Sequence, residues 1–335
     1  MIGKPSLWLL LQEHPIKAAP HSPHQCSFLL QAEGRNKHHE PRAQTLQPFA
    51  FCLIVSDQKT KPQSILITGC SSGIGYYCAH QLHQRGYQVI ASCRKKEDVQ
   101  KLQSEGIDCL ELDLEDSQSV RNAFDEVMEK TGGELDALFN NGAFGQPGAV
   151  EDLPREVLRR QFETNVFGWH ELTRLVLPSM IARGTGRILQ NSSVLGFVSF
   201  KYRGAYVASK FALEGLTDTL RLELHGTGVQ VCLIEPGPIL SEFRANGLKV
   251  FEENIDTEAS RHRREYEKQV QRLRTEGPAA SFTLGPEAVY QRVLHALESP
   301  NPKIRYYVTF PTYLMAGLKR ILPHRWLDYF LRSNS

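Results

Sequence analysis

The chain has 335 residues, 41% of them hydrophobic and 23% charged, the balance of a soluble globular protein with room for one large domain and appendages or for two modest domains. A formal net charge of only +2 offers no global field for nucleic acid, so any anion must be bound locally. Seven cysteines without C-x-x-C pairs or zinc spacing argue against a disulfide framework or a metal centre, and fit reduced thiols in the cytoplasm.

Residues 1–60 carry five of the twelve histidines (His14, His21, His24, His38 and His39) among prolines, glutamines and basic residues without period. They read as a disordered extension. The apolar runs at 6–11 and 48–55 fall far short of the roughly 20 residues of a membrane span. No Met stands between Met1 and Met128, so a start nearer the domain would need another codon, for instance at Val55.

From residue 64 the rhythm alternates between strand and helix. "SILITG" (64–69) is a buried strand, and the helix after it carries Ile74, Cys78 and Leu82 on one face and stops at Gly86. "YQVIAS" (87–92) and "IDCLELD" (107–113) are the next strands. A helix from about residue 117 aligns Val120, Phe124 and Val127. "LDALFNN" (135–141) is the fourth strand, and a long helix over 154–180 leads to the fifth, "GRILQNSS" (186–193). A helix over 206–225 places Leu213, Leu216, Leu220 and Leu224 on one stripe and ends at Gly226. "VQVCLIEPG" (229–237) and "IRYYVT" (304–309) supply the last two strands. Short apolar strands alternating with helices define a parallel sheet covered on both faces. The fold class is α/β: one Rossmann-type, doubly wound domain of about seven strands, spanning 61–310.

Gly69, Gly73 and Gly75 lie between the first strand and the first helix, where backbone amides and a helix N-terminus can meet a pyrophosphate. Ser71 and Ser72 can add hydroxyl donors or cap the helix. The spacing G-x-x-x-G-x-G is one residue longer at the front than the commonest dinucleotide fingerprint. Tyr206 and Lys210, four apart in "AYVASK", share one helix face. Alone, the pair would suit an amphipathic helix with a snorkelling Lys. It is accompanied by Ser193 at the carboxyl end of strand five, where open parallel sheets place ligands. Asn165 sits inside the preceding long helix, an odd place for a residue of mediocre helix propensity.

Taken together, these residues resemble the short-chain dehydrogenase/reductase family in its non-extended form. The resemblance rests on T-G-x-x-x-G-I-G at 68–75, "LDLED" with Asp113 and Leu114, "NNGA" with Asn141, then Asn165, Ser193, Tyr206 with Lys210, and "PGPI" with Pro236, Gly237 and Ile239. "ITGCSSGIG", "IEPGPI" and "FTLGPEAV" are most similar to bacterial aldehyde reductases of the 17β-hydroxysteroid and retinol dehydrogenase branch. It implies hydride transfer between a nicotinamide dinucleotide and a carbonyl or alcohol. Tyr206 is then the acid, Lys210 the ribose contact, Ser193 the partner of the carbonyl oxygen, and Asn165 the holder of a proton-supplying water. Free Tyr has a pKa of about 10, and bringing it to neutrality takes about 4 kcal/mol, which the Lys210 charge is expected to supply. Ile74 and the loop glycines fall to the cofactor. The family's usual N-N-A-G is reversed here as Gly142-Ala143, which would strain Ala143 if that position needs positive φ.

Strand two ends in Ser92-Cys93-Arg94-Lys95 with no carboxylate, so the expected cofactor is NADP(H), its 2′-phosphate held by Arg94 with Ser92 or Lys95 helping. A lid is expected over 240–282, where "RHRREYEKQVQRLR" reads either as a solvated helix face or as a clamp for an anionic substrate. Val194, Leu195, Phe197, Phe200 and Tyr202 suggest an apolar pocket for an aldehyde or a steroid- or retinoid-like carbonyl. The tail 311–335 reads as packing on the domain or on a second copy in a homo-oligomer, or as a membrane-surface helix. A non-catalytic sensor on the same fold would break the Ser/Tyr/Lys set, and all three are present.

Overall fold

The computed structural model describes residues 63–275, 277–278 and 280–333; the extension read at 1–60 lies outside the described residues. The strands are β1 (Ser64–Ile67), β2 (Gln88–Cys93), β3 (Asp108–Glu111), β4 (Ala137–Asn140), β5 (Gly186–Asn191), β6 (Val229–Glu235) and β7 (Arg305–Tyr307). They pair in parallel throughout, in the order β3-β2-β1-β4-β5-β6-β7. The helices are α1 (Gly73–Gln84), α2 (Lys96–Ser104), α3 (Ser117–Thr131), α4 (Arg155–Phe162), α5 (Gly168–Arg183), α6 (Gly204–Glu223), α7 (Phe243–Asn254), α8 (Arg263–Arg274), α9 (Glu287–Glu298), α10 (Phe310–Ile321) and α11 (His324–Ser333).

Every residue of β1 is buried because successive side chains serve opposite faces. Ile65 and Ile67 join the core under α1 and α9, with Cys78, Leu82, Val289 and Val293. Leu66 joins the other, under α3, α5 and α6, with Val120, Trp169, Leu172 and Leu213. Each fully buried aliphatic side chain contributes roughly 1.5–3 kcal/mol, so two such layers fix the strand register firmly. The order turns back between β1 and β4, and crossovers leave to either side there. That opens a crevice at the carboxyl ends of these strands, which positions the site.

Several elements differ from the expectation. The long helix over 154–180 is broken: Glu163–Phe167 winds as a π segment between α4 and α5. Helix α9, absent from the sequence reading, covers one sheet face through Val289, Tyr290 and Val293. The charged lid stretch is not purely a solvated face, because Tyr266 of α8 is buried with Ala149, Phe251 and Ile255. The tail forms two helices, parted near Pro323, and Met315 and Leu331 pack with Val198. Phe197 and Phe200 lie against this cluster, so they form the seam with the tail instead of standing free in a pocket. Among the described residues no helix is long and apolar enough to cross a membrane, and Cys70, Cys78, Cys93, Cys109 and Cys232 are buried free thiols.

Candidate active site

The glycine loop is shaped by close backbone approach. Gly69 has φ +71°, and a Cβ there would run into Gly142, lying only 2.9 Å from its nitrogen. A Cβ on Gly75 would overlap the Gly69 carbonyl and approach the Asn141 amide to 2.7 Å. The Thr68 hydroxyl accepts from the backbone N–H of Asn141 and of Gly142, each at 2.9 Å. The Asn141 amide donates to the carbonyls of Thr68 (2.9 Å) and Gly69 (3.2 Å). Asn141 therefore acts on the loop first: its side chain locks β1 to β4 at the switch point. Ala143 is not among the described residues with positive φ, so the reversed Gly-Ala pair brings none of the strain expected for it.

Ser72 caps α1 with extended backbone and makes no side-chain capping bond, and Ser71 is exposed. A cavity of about 910 Å³ lies between Ser71, Ser72 and Gly73 and the lid residues Ser241, Arg244 and Arg274. Ser241 comes so close that a Cβ on Gly73 would sit 3.0 Å from its own Cβ. These groups fit the phosphates of a dinucleotide: a bare loop, a helix N-terminus, free hydroxyls and nearby cations. Ser92 and Cys93 are buried, the Ser92 hydroxyl 3.4 Å from the Ile67 carbonyl, which removes Ser92 as a helper at the turn. Arg94 and Lys95 are exposed. Asp113 bonds its own turn, its carboxylate accepting from Glu115 N–H at 3.0 Å, while Leu114 packs near Gly142. Pro236 offers its carbonyl to Val194 N–H at 2.8 Å; Gly237 backs onto Thr309 and Thr312, and Ile239 bridges to Leu284.

Asn165 lies in the π segment and is fully buried. Its amide accepts from Phe144 N–H at 3.2 Å and donates to Phe144 carbonyl at 2.9 Å and to Ser209 hydroxyl at 3.2 Å. The wide turn shifts backbone carbonyls off the regular helical ladder, which accounts for a polar residue here.

Ser193 ends the β5 exit with extended backbone, its hydroxyl accepting from Leu195 N–H at 3.1 Å. Tyr206, in the first turn of α6, packs its ring edge-on to Phe243 of α7 at 5.3 Å. Burial pushes its hydroxyl up to about 12, opposed by the Ser193 hydroxyl and by Arg203. The expected cation was Lys210. Its ammonium instead donates to the Asn191 carbonyl at 2.7 Å and lies 4.1 Å from the Trp169 ring centre. Burial lowers Lys210 to about 7, with Glu214 one turn on opposing the shift.

Behind this pair stands a network that the sequence reading missed. Glu214 accepts from the Ser192 hydroxyl and from Arg305. Arg305 also reaches Glu235 at 2.6 Å and Asp218 at 2.5 Å. It joins α6, β5, β6 and β7 directly under the Ser192–Ser193 turn. Its partners lie 91, 70 and 87 residues away, so no local pattern could have revealed them.

A doubly wound parallel sheet with a glycine loop at its switch point, and Ser, Tyr and Lys converging at the strand-five exit, defines a dinucleotide-dependent oxidoreductase. Residues 63–249 match the family described as short chain dehydrogenase, and the chain belongs to that family. It is 44% identical over 275 residues to the uncharacterized oxidoreductase YbbO of Escherichia coli strain K12, covering 82% of this chain and 96% of that one. It is 34% identical over 258 residues to human 17-beta-hydroxysteroid dehydrogenase type 1, covering 73% and 77%. A solved short-chain dehydrogenase from Streptomyces avermitilis superposes with a TM-score of 0.65 at 25% identity, over 82% of this chain and 98% of that one. The chain thus falls in the 17β-hydroxysteroid and retinol dehydrogenase branch.

Proposed function

We propose that the protein is an NADP(H)-dependent carbonyl reductase, interconverting an aldehyde or ketone of apolar character and its alcohol. The observation that carries this is the convergence of Ser193, Tyr206 and Lys210 beside the glycine loop. Gly69, Ser71, Ser72, Gly73, Ile74 and Gly75 would hold the pyrophosphate side. Asp113, Leu114 and Asn141 would bound the adenosine, and Pro236, Gly237 and Ile239 the nicotinamide end. Arg94, the first exposed residue after β2, would donate to the 2′-phosphate. The bound nicotinamide supplies the hydride.

Within this reading Tyr206 gives its proton to the carbonyl oxygen, and Ser193 donates to the same atom as charge grows. Burial pushes Tyr206 up to about 12, so its proton is in place at neutral pH, and the Ser193 hydroxyl and Arg203, which oppose that shift, ease its release. Lys210, brought to about 7, can take and release a proton near neutral pH behind it. Asn165, bonded to Ser209 and Phe144, would steady the backbone where a relay water reaches Lys210. The test is a panel of aldehydes, ketones and alcohols followed by NADPH absorbance. Oxidation of NADPH by an apolar aldehyde supports the reading; a panel inert with both nicotinamide cofactors removes it.

A further inference from the structure

The turn that presents Ser193 is held from two sides. On the sheet side the ties are backbone: Ser192 N–H donates to the Ile234 carbonyl at 2.7 Å, and Val194 N–H to the Pro236 carbonyl at 2.8 Å. Ser193 itself adds little, its hydroxyl accepting from Leu195 N–H and lying 3.5 Å from the Pro236 carbonyl. On the helix side the ties are side chains. Tyr206, Lys210 and Glu214 stand four residues apart along α6 and so share one face. Lys210 takes the Asn191 carbonyl, and Glu214 takes the next residue, its carboxylate accepting from the Ser192 hydroxyl.

Glu214 is built into this turn. It and Ser192 are both buried. A Cβ on Gly196 would lie 2.5 Å from the Ser192 hydroxyl and 2.7 Å from the carboxylate oxygen that Ser192 uses, so the backbone at 194–196 closes directly over the pair. The second oxygen accepts from Arg305, whose guanidinium also holds Glu235 at the end of β6. The carboxylate cannot swing aside without leaving Arg305, and a hydroxyl bonded to a carboxylate is held about twice as strongly as one bonded to a neutral group. A single tie at Lys210 would let α6 pivot against the strand exit. The second tie, four residues on and about 6 Å along the helix, removes that freedom. Tyr206 and Ser193 belong to the two parts so joined, and their separation follows from the docking.

We propose that Glu214 is a positioning residue for the reaction: clamped by Arg305, it holds the Ser192 hydroxyl, and with it the turn that aims the Ser193 hydroxyl at the oxygen Tyr206 protonates. Glu214 and Ser192 act through Ser193, from behind it. This deepens the carbonyl-reductase reading and rests on it.

The test is a double-mutant cycle on kcat, with NADPH saturating and the aldehyde that the unmodified protein reduces fastest. Ser193→Ala alone should cut kcat by about 10²–10³, the usual worth of a donor to developing charge. Ser192→Ala should cut it by about tenfold and leave KM for NADPH within about twofold, since a misaimed donor loses part of its contribution. In the Ser193→Ala background the same change should cost less than about twofold, because there is no longer a hydroxyl to aim. Glu214→Leu should repeat the Ser192→Ala result, and Glu214→Gln should recover most of that loss, because an amide can still bond the Ser192 hydroxyl. Should Glu214→Leu fail to fold, the Ser192→Ala cycle decides alone. Equal losses from Ser192→Ala in both backgrounds, or a lower melting temperature with kcat unchanged, would make the contact purely structural and overturn the inference. Glu214→Gln as impaired as Glu214→Leu would assign the effect to charge and overturn it too. If the unmodified protein reduces no carbonyl, the reading beneath fails and this inference with it.

Discussion

The Lys210 ammonium donates to the carbonyl of Asn191 at 2.7 Å, tying the helix that carries Tyr206 to the last residue of the strand that leads to Ser193. The bond makes the buried lysine a structural as well as a chemical element, and its protonation should be visible in stability.

Burial brings Lys210 from 10.5 to about 7. Between those values the unfolded chain binds a proton that the folded one does not, so stability attributable to this group rises with pH. The destabilisation is full below about pH 7 and fades towards 10.5. Against Lys210→Met, the unmodified protein should gain stability as pH climbs through that window, measured by urea unfolding. The lost bond to Asn191 is a constant offset, so the slope of the difference is the readout. A flat difference would show that the folded lysine keeps its ordinary proton affinity.

Tyr206→Phe should fold normally and bind NADPH, because the ring contact with Phe243 is retained. Turnover should fall by about 10²–10⁴, the usual contribution of a general acid. Melting curves, cofactor fluorescence and initial rates check the three parts separately, and near-normal rates would remove Tyr206 from its proposed role.

Glu235 is wholly buried, and one of its carboxyl oxygens lacks a hydrogen-bond partner. Burial, then the neighbouring Glu214, raise its pKa well above the ordinary 4.5, with Arg305 opposing. A raised carboxyl contributes stability that is complete below 4.5 and is lost as pH rises through the folded value. Glu235→Gln should therefore become progressively more stable relative to the unmodified protein as pH increases from 4.5. Parallel stability–pH curves would mean that Arg305 keeps Glu235 ionised throughout.

Arg94→Ala should cut kcat/KM for NADPH by about 10–100-fold and change the NADH value far less, since only one cofactor has the 2′-phosphate. The ratio of the two constants is the measurement. Equal constants in the unmodified protein would show that this turn does not read the phosphate. Adding an acid at Cys93 is a poor way to reverse the preference, because Cys93 is buried with its sulfur 3.9 Å from that of Cys109.

The strands were legible because parallel strands covered on both faces must be apolar throughout, and "SILI" or "VQVCLIE" allow little else. The glycine loop and the Tyr206–Lys210 pair were legible because short-range geometry dictates their spacing. What lay beyond reach depends on contacts between distant segments. The π segment is invisible in hydrophobic period, since an extra residue in one turn only shifts the phase. Lys210 is read from its spacing to Tyr206 and its charge, whereas its direction is set by the Asn191 carbonyl and the Trp169 ring.

The π turn at Glu163–Phe167 also bears on which insertions and deletions this chain can survive. Removing one residue there would close the turn into ordinary α-helix, and each residue of an α-helix advances about 100°. Either α4 or α5 would then point the wrong way. Trp169, Leu172 and Val176, now buried on the sheet, would swing off it, or Gln161 would lose its bonds to Phe144 and Gln146. Substitutions at Asn165 are a chemical question, but its numbering relative to Trp169 is a matter of phase. A natural variant with a shortened segment should be found only with a compensating extra residue between β4 and β5.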